Sequence, residues 1–121
     1  YFYALSFNYM VEYYATIDNL FMALADSTRR SILAQVSKAE MSISEIAAAY
    51  SLTFAAVSKH IMVLQKANLI TKRRHGKEQI VIIVPETLEL AREQIENYAK
   101  LWSDRFDRLE IVLSEMEVKI L

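Results

Sequence analysis

"TFAAVSKHIMVLQKANLITKRRHGKEQIVIIV", residues 53–84, changes its period halfway along. Up to Ala67, Val57, Ile61 and Leu64 recur at the spacing of one helical face, and Thr53 stands where an N-cap belongs. After Asn68, a residue suited to a left-handed C-cap, the chain becomes rich in β-branched residues around the only glycine, Gly76. That pattern predicts a helix over 54–67 followed by a hairpin of about 69–74 and 78–84. Charge follows the same stretch. From Thr53 through Lys77 there are six Lys or Arg and no Asp or Glu.

Working outward from this stretch, the elements on either side are helical. Ile17, Leu20, Phe21 and Leu24 form an apolar stripe that predicts a first helix over about 14–25. Asp26 is placed to cap a second helix, "STRRSILAQVSK", with Ile32, Leu33 and Val36 inward. Ser42 and Glu45 have capping-box spacing for a third, which runs through Ile46, Ala47 and Tyr50. "SLT" is a short connector to the fourth. Beyond the hairpin Pro85 ends the strand, and residues 86–120 read as one helix of about 50 Å.

The last helix carries two interleaved series at a spacing of seven. One is Leu88, Ile95, Trp102, Leu109 and Met116; the other is Ala99, Phe106, Leu113 and Ile120. Such a double series is a seam for another helix. A domain this small has little surface to cover a stripe that long, so the seam is assigned to a second copy of the chain, with Leu20 of the first helix joining it. Packing on its own domain is the alternative.

The chain of 121 residues suffices for one domain with a modest core, and its formal net charge of −1 announces no partner. The distribution of charge is more telling, because residues 86–121 carry nine acids and five bases. A basic face on an acidic body points to a polyanion. The absence of cysteine removes disulfides, thiolate metal sites and cysteine redox sensing, and fits a cytoplasmic protein. No apolar run reaches the ~18–20 residues of a membrane span. "YFYALSFNYMVEYY" at the start lacks the basic region of a signal peptide. Residues 1–15 are therefore read as an N-terminal extension. Met10 would serve as a natural start if residues 1–9 were added to the chain; if they are native, their aromatics pack on the body or on a partner subunit.

Two helices, a helix-turn-helix, a hairpin and a long helix make up the order of a winged helix-turn-helix: mainly α, with a small β wing. The residues also resemble a family. "LADSTRRSIL" followed by "SISEIAAAYSLTFAAVSKHIMVLQKANLI" resembles the ArsR family of bacterial transcriptional repressors. The resemblance implies a homodimer that binds operator DNA, with 16–85 as the DNA-binding domain and 86–121 as the dimerisation helix. Four positions depart from the usual family pattern. Ser27 stands where Pro is common, Ser51 and Asn68 where Gly is common, and Met62 where Lys or Arg is common. Asn tolerates a left-handed backbone better than Ser does, so the turn at Ser51 is expected to be the less standard one.

On a helical wheel Ala55, Ser58, Lys59, Met62 and Lys66 lie opposite Val57, Ile61 and Leu64. This is the face a recognition helix offers to a major groove, its first turns deepest. Ser58 suits a base edge or a phosphate, and Lys59 suits guanine acceptors or a phosphate. Ala55 suits a thymine methyl, as does Phe54 if it is exposed. Thr53 sits at the helix start, where backbone N–H groups bind phosphate. His60 falls at the edge of the buried face, equally suited to a hydrogen bond within the fold and to DNA. Lys66 reaches backbone or solvent only. Lys72, Arg73, Arg74, His75 and Lys77 on the wing suit phosphates or the minor groove. Arg29 and Arg30 fit structural pairing better than phosphate contact.

Metal-sensing members of the family use Cys-rich sites on the third helix or His/Asp sites on the last. Here the third helix has no thiol and the last has no His. Glu89, Glu93 and Glu96 read as a solvated face. No metal and no cofactor are expected, and the resemblance points to the metal-independent part of the family. Such a regulator is constitutive or autoregulatory, or answers a small molecule or partner protein. Tyr98, Trp102 and Phe106 would line an apolar ligand site or, more simply, the dimer seam. A winged-helix protein-interaction module is the other reading. No Gly-rich phosphate loop, nucleophilic Cys or His with a nearby nucleophile and carboxylate suggests an enzyme.

Overall fold

A computed structural model describes residues 2–120, with side chains described for 6–119. The chain divides into two compact units, one up to Leu88 and one from Glu89 onward. The first unit opens with α1 (Phe2–Leu24) and α2 (Ser27–Lys38). A two-residue strand β1 (Met41–Ser42) leads into α3 (Ile43–Tyr50) and α4 (Phe54–Lys66). The strands β2 (Ile70–His75) and β3 (Glu78–Ile83) precede α5 (Pro85–Ile120), which continues through the second unit.

α1 is longer than the predicted 14–25. It starts at Phe2, so most of the expected extension over 1–15 is helical; Tyr1 and the side chains of residues 2–5 lie outside the described residues. The reason for the discrepancy is visible in burial. Among the described side chains of this helix only Ile17, Leu20 and Ala23 are buried, while residues 6–16 are exposed all round. Periodicity detects a buried stripe, and the N-terminal half has none to detect.

Each helix junction is made by a specific cap. Asp26, extended at φ −104° and ψ 131°, accepts from the main-chain N–H of Arg29 at 3.0 Å and opens α2. Arg29 and Arg30 reach back to close α1. The Nε and Nη2 atoms of Arg29 donate to the carbonyls of Ala23 and Met22 at 2.7 and 3.0 Å, and Arg30 Nη1 donates to that of Leu24 at 2.9 Å. Two guanidinium groups thus meet the carbonyl end of α1, where the helix dipole favours positive charge. Ser42 and Glu45 form the anticipated capping box. Ser42 Oγ accepts from Glu45 N at 3.1 Å while Ser42 N donates to Glu45 Oε1 at 3.2 Å.

The turn between α3 and α4 hinges on Ser51, which is left-handed at φ 53° and ψ 38°. Leu52 N donates to Ala47 O at 3.0 Å across it, satisfying a carbonyl that the helix end would leave open. Thr53 then caps α4 by accepting from Ala56 N at 3.1 Å. The two helices diverge by 116°. At the far end of α4, Ala67 is the C-cap and Asn68 takes the left-handed conformation at φ 58°, with Leu69 N donating to Leu64 O at 3.0 Å.

The sheet is antiparallel in the order β1-β3-β2. The hairpin was legible, but β1 was not, because two residues are too few to show an alternation. Met41 pairs with Val81 and Ser42 with Ile80. Between β2 and β3, His75 opposes Glu78, and Gly76 at φ 64° opens the two-residue turn, as a II′ turn requires of its first central position. Pro85 does not merely end the hairpin; it is the first residue of α5, where its missing N–H leaves no helical bond unmade.

The core of the first unit gathers Leu20 from α1, Ile32 from α2, Ile46 from α3, Val57, Ile61 and Leu64 from α4, Leu69, Ile70 and Val81. All are at most 2% exposed. Leu20, expected at the dimer seam, is corrected by this finding. It is fully buried in its own unit and has no surface left to offer a partner.

A serine in the left-handed region is strained relative to glycine. Ser51→Gly should therefore stabilise the fold by about 0.5–1 kcal/mol. Ser42→Ala should destabilise it by about 1 kcal/mol through loss of the cap. Urea unfolding of both variants, compared at equal m-value, measures the difference.

Candidate nucleic-acid interface

α4 presents two faces with different duties. Val57, Ile61 and Leu64 are within 1% of full burial, while Phe54, Ala55, Lys59, Met62 and Lys66 are exposed. Phe54 is thus free for an outside contact. Ser58 is half-buried, at the margin of the outer face rather than at its centre. Met62 is 60% exposed and, with Phe54, is one of two large apolar side chains among these exposed residues. Thr53 is exposed; its Oγ is engaged as the cap acceptor, which leaves the hydroxyl proton free to donate outward.

His60 turns to the interior. Its Nδ1 lies 3.9 Å from Asp26 Oδ2 at the start of α2, and its side chain is 25% exposed. The hydrogen bond from Arg29 N, with the Arg29 and His60 charges beside it, holds the Asp26 carboxyl below its ordinary range despite some desolvation. Arg29 and Arg30 are committed to the end of α1, so the structural reading of both applies.

On the wing, Lys72, Arg73, Arg74, His75 and Lys77 are all exposed. They are not equivalent. Arg73 Nη2 donates to Glu40 Oε2 at 3.0 Å, so an acid from the segment before β1 already holds it. Arg74 Nε donates to Gly76 O at 3.2 Å, which ties the side chain to the turn. Sequence reasoning missed Glu40 because it lies 33 residues from Arg73. Only the third strand, which places the start of β1 beside the hairpin, brings the two together.

In the second unit, Ile95, Ala99, Trp102, Phe106, Leu109, Leu113 and Met116 are exposed on α5, while Leu88, at the end of the first unit, is half-buried. The side chain of Ile120 lies outside the described residues. Trp102 and Phe106 sit with ring centroids 6.2 Å apart, and the Arg105 guanidinium lies 5.5 Å over the Trp102 ring. Arg92 is flanked by Glu89 and Glu96, its Nη1 meeting Glu96 at 2.5 Å. Two of the three carboxylates considered as a solvated face are therefore paired on their own helix.

A helix-turn-helix domain family model matches residues 24–73, which run from the end of α1 into β2. An HTH-type transcriptional regulator of Bacillus subtilis strain 168, YuzN, is 38% identical over 79 residues, 60% of this chain and 86% of that protein. An ArsR-like transcriptional regulator from Rhodococcus sp. RHA1 superposes with a TM-score of 0.72 at 26% identity, over 84% of this chain and 95% of that one. The chain belongs to the ArsR-type winged helix-turn-helix transcriptional regulators. Another relative of this regulator, the transcriptional repressor SdpR of Bacillus subtilis strain 168, is 31% identical over 61 residues, half of this chain and 68% of that protein. In the winged helix-turn-helix order, α4 is the second helix of the helix-turn-helix and the β2–β3 hairpin is the wing.

Glu40→Gln should release Arg73 to phosphate. The slope of log affinity against log salt should then steepen, by no more than about one unit. Fluorescence anisotropy across a salt series on duplex DNA checks this.

Proposed function

We propose that this regulator is a homodimeric repressor that reads an imperfect inverted-repeat operator through α4 and steadies itself through the wing. The observation that carries the reading is the acid-free stretch of chain from Thr53 to Lys77, which runs from the start of α4 to the hairpin turn; the carboxylates beside the wing, Glu40 and Glu78, come from outside it. A solvated structural face gains nothing from excluding carboxylates over 25 residues. A face that meets phosphates does, because each acid there would repel the backbone.

In this reading Lys59 and Ser58 take base edges or phosphates in the major groove, while Ala55, Phe54 and Met62 meet apolar edges such as thymine methyls. Thr53 and the N–H groups at the start of α4 take a phosphate. Lys66, Lys72, Arg74, His75 and Lys77 follow the backbone, with Arg73 partly withheld by Glu40. The unit up to Leu88 is the reading domain, and α1 belongs to it in place of a separate extension. The exposed stripe of α5, from Ile95 through Met116, is the seam with the second copy, and Leu20 is not part of it. A dimer built on this seam sets its two recognition helices about 34–36 Å apart, one turn of the duplex. The regulator works in the cytoplasm by binding rather than catalysis, and without a metal, since the chain offers neither cysteines nor a histidine on α5.

Lys59→Ala should cost about 1–3 kcal/mol of operator affinity. Arg74→Ala should weaken binding on every sequence and flatten the salt slope by about one. A double variant that still held a selected operator with wild-type affinity would overturn the assignment. Trp102→Glu should convert dimer to monomer in sedimentation velocity and weaken operator binding with it, because one half-site alone carries half the contacts.

A further inference from the structure

The exposed residues of α4 are Phe54, Ala55, Lys59, Met62, Gln65 and Lys66. Arg and Asn are absent from this helix, and Gln65, its only Gln, stands near its end. The planar side chains that grip guanine or adenine through two hydrogen bonds are therefore missing from its first turns. Lys59 and the half-buried Ser58 are the polar groups that remain there. Phe54 and Met62, each more than half exposed, add two large apolar side chains beside them.

An apolar side chain has one feature to recognise in a major groove. Base edges there carry donors and acceptors, and the 5-methyl group of thymine is the single apolar group among them. Met62 suits that group by position and by chemistry. Ala55 and Met62 are seven residues apart, close to two turns, so they lie on one line down the helix about 10.5 Å apart. That separation corresponds to about three base pairs at roughly 3.4 Å each. Ala55 is in the first turn, where a helix entering by its N-terminus lies deepest and a short side chain fits. Met62 stands farther along and needs reach, which an unbranched, polarisable thioether chain supplies.

We propose that Met62 is a specificity-determining residue, which reads the 5-methyl group of one thymine in each operator half-site, about three base pairs from the pair that Ala55 meets. The inference rests on the proposed entry of α4 into the major groove, and it names the base chemistry that this entry reads. Sequence information then comes from a methyl group on the Met62 side and from the hydrogen bonds of Ser58 and Lys59 between the two apolar positions.

The test uses the full chain and a duplex that it selects from random sequence. Each thymine of that duplex is replaced in turn by deoxyuridine, which removes the methyl group and keeps the base pairing. One thymine per half-site should respond, with affinity falling roughly three- to five-fold in fluorescence anisotropy, the size of one buried methyl group. Replacing it in both half-sites should cost roughly ten- to twenty-five-fold, since distant contacts add. Met62 is exposed, so Met62→Ala and Met62→Lys leave the core intact. In both variants deoxyuridine at that position should cost nothing, while the responses at other thymines persist. If the response survives in both variants, it arises from duplex shape or from another side chain, and the assignment of Met62 is overturned. A selected duplex in which no thymine responds also overturns it, while leaving the DNA reading of the protein in place. Should no duplex be selected, the DNA reading itself fails and this inference falls with it.

Discussion

Everything outward on this protein depends on how three side chains are held inward. Val57, Ile61 and Leu64 lock one stripe of α4 into the core, and a helix that is fixed on one side is fixed on the other. Burial of each such side chain is worth about 1.5–3 kcal/mol, far more than any single exposed contact on the opposite face. The apolar stripe therefore sets which residues face out, and the polar and basic residues have no part in choosing. The 116° turn before α4 and the left-handed Asn68 after it then decide where the helix starts and how the chain leaves for the wing.

Much of this was legible in the residues because its causes are local. Asp26, Ser42 and Thr53 each cap the helix that follows, a relation that spans three residues. Gly76 marks the hairpin turn for the same reason. The family resemblance supplied what periodicity alone leaves open, namely that the chain is a DNA-binding transcriptional regulator. Three features escaped. β1 is too short for a pattern, the N-terminal half of α1 has no buried stripe to betray it, and the Glu40–Arg73 pair joins distant segments. Leu20 was misplaced because an apolar residue at helical spacing reads the same whether its cover is its own core or another chain.

The departures from the family pattern divide in the same way. Ser51 and Asn68 both adopt the backbone that glycine would take without strain, so the turn geometry is kept at some cost in stability. Met62 changes what the outer face of α4 can do. It puts an exposed, flexible apolar chain where the family commonly has a cation, so in the proposed mode of binding one salt-dependent contact is exchanged for an apolar one.

Ser42 belongs at once to the sheet, where it pairs with Ile80, and to the helix-turn-helix, whose first helix it caps. It is fully buried, with its hydrogen bonds to Glu45 formed in both directions. The wing and the reading helices consequently share a hinge pin in place of a flexible strap. A displacement of the hairpin root is thereby passed to the start of α3, so in the proposed mode of binding the wing and the helix-turn-helix move together.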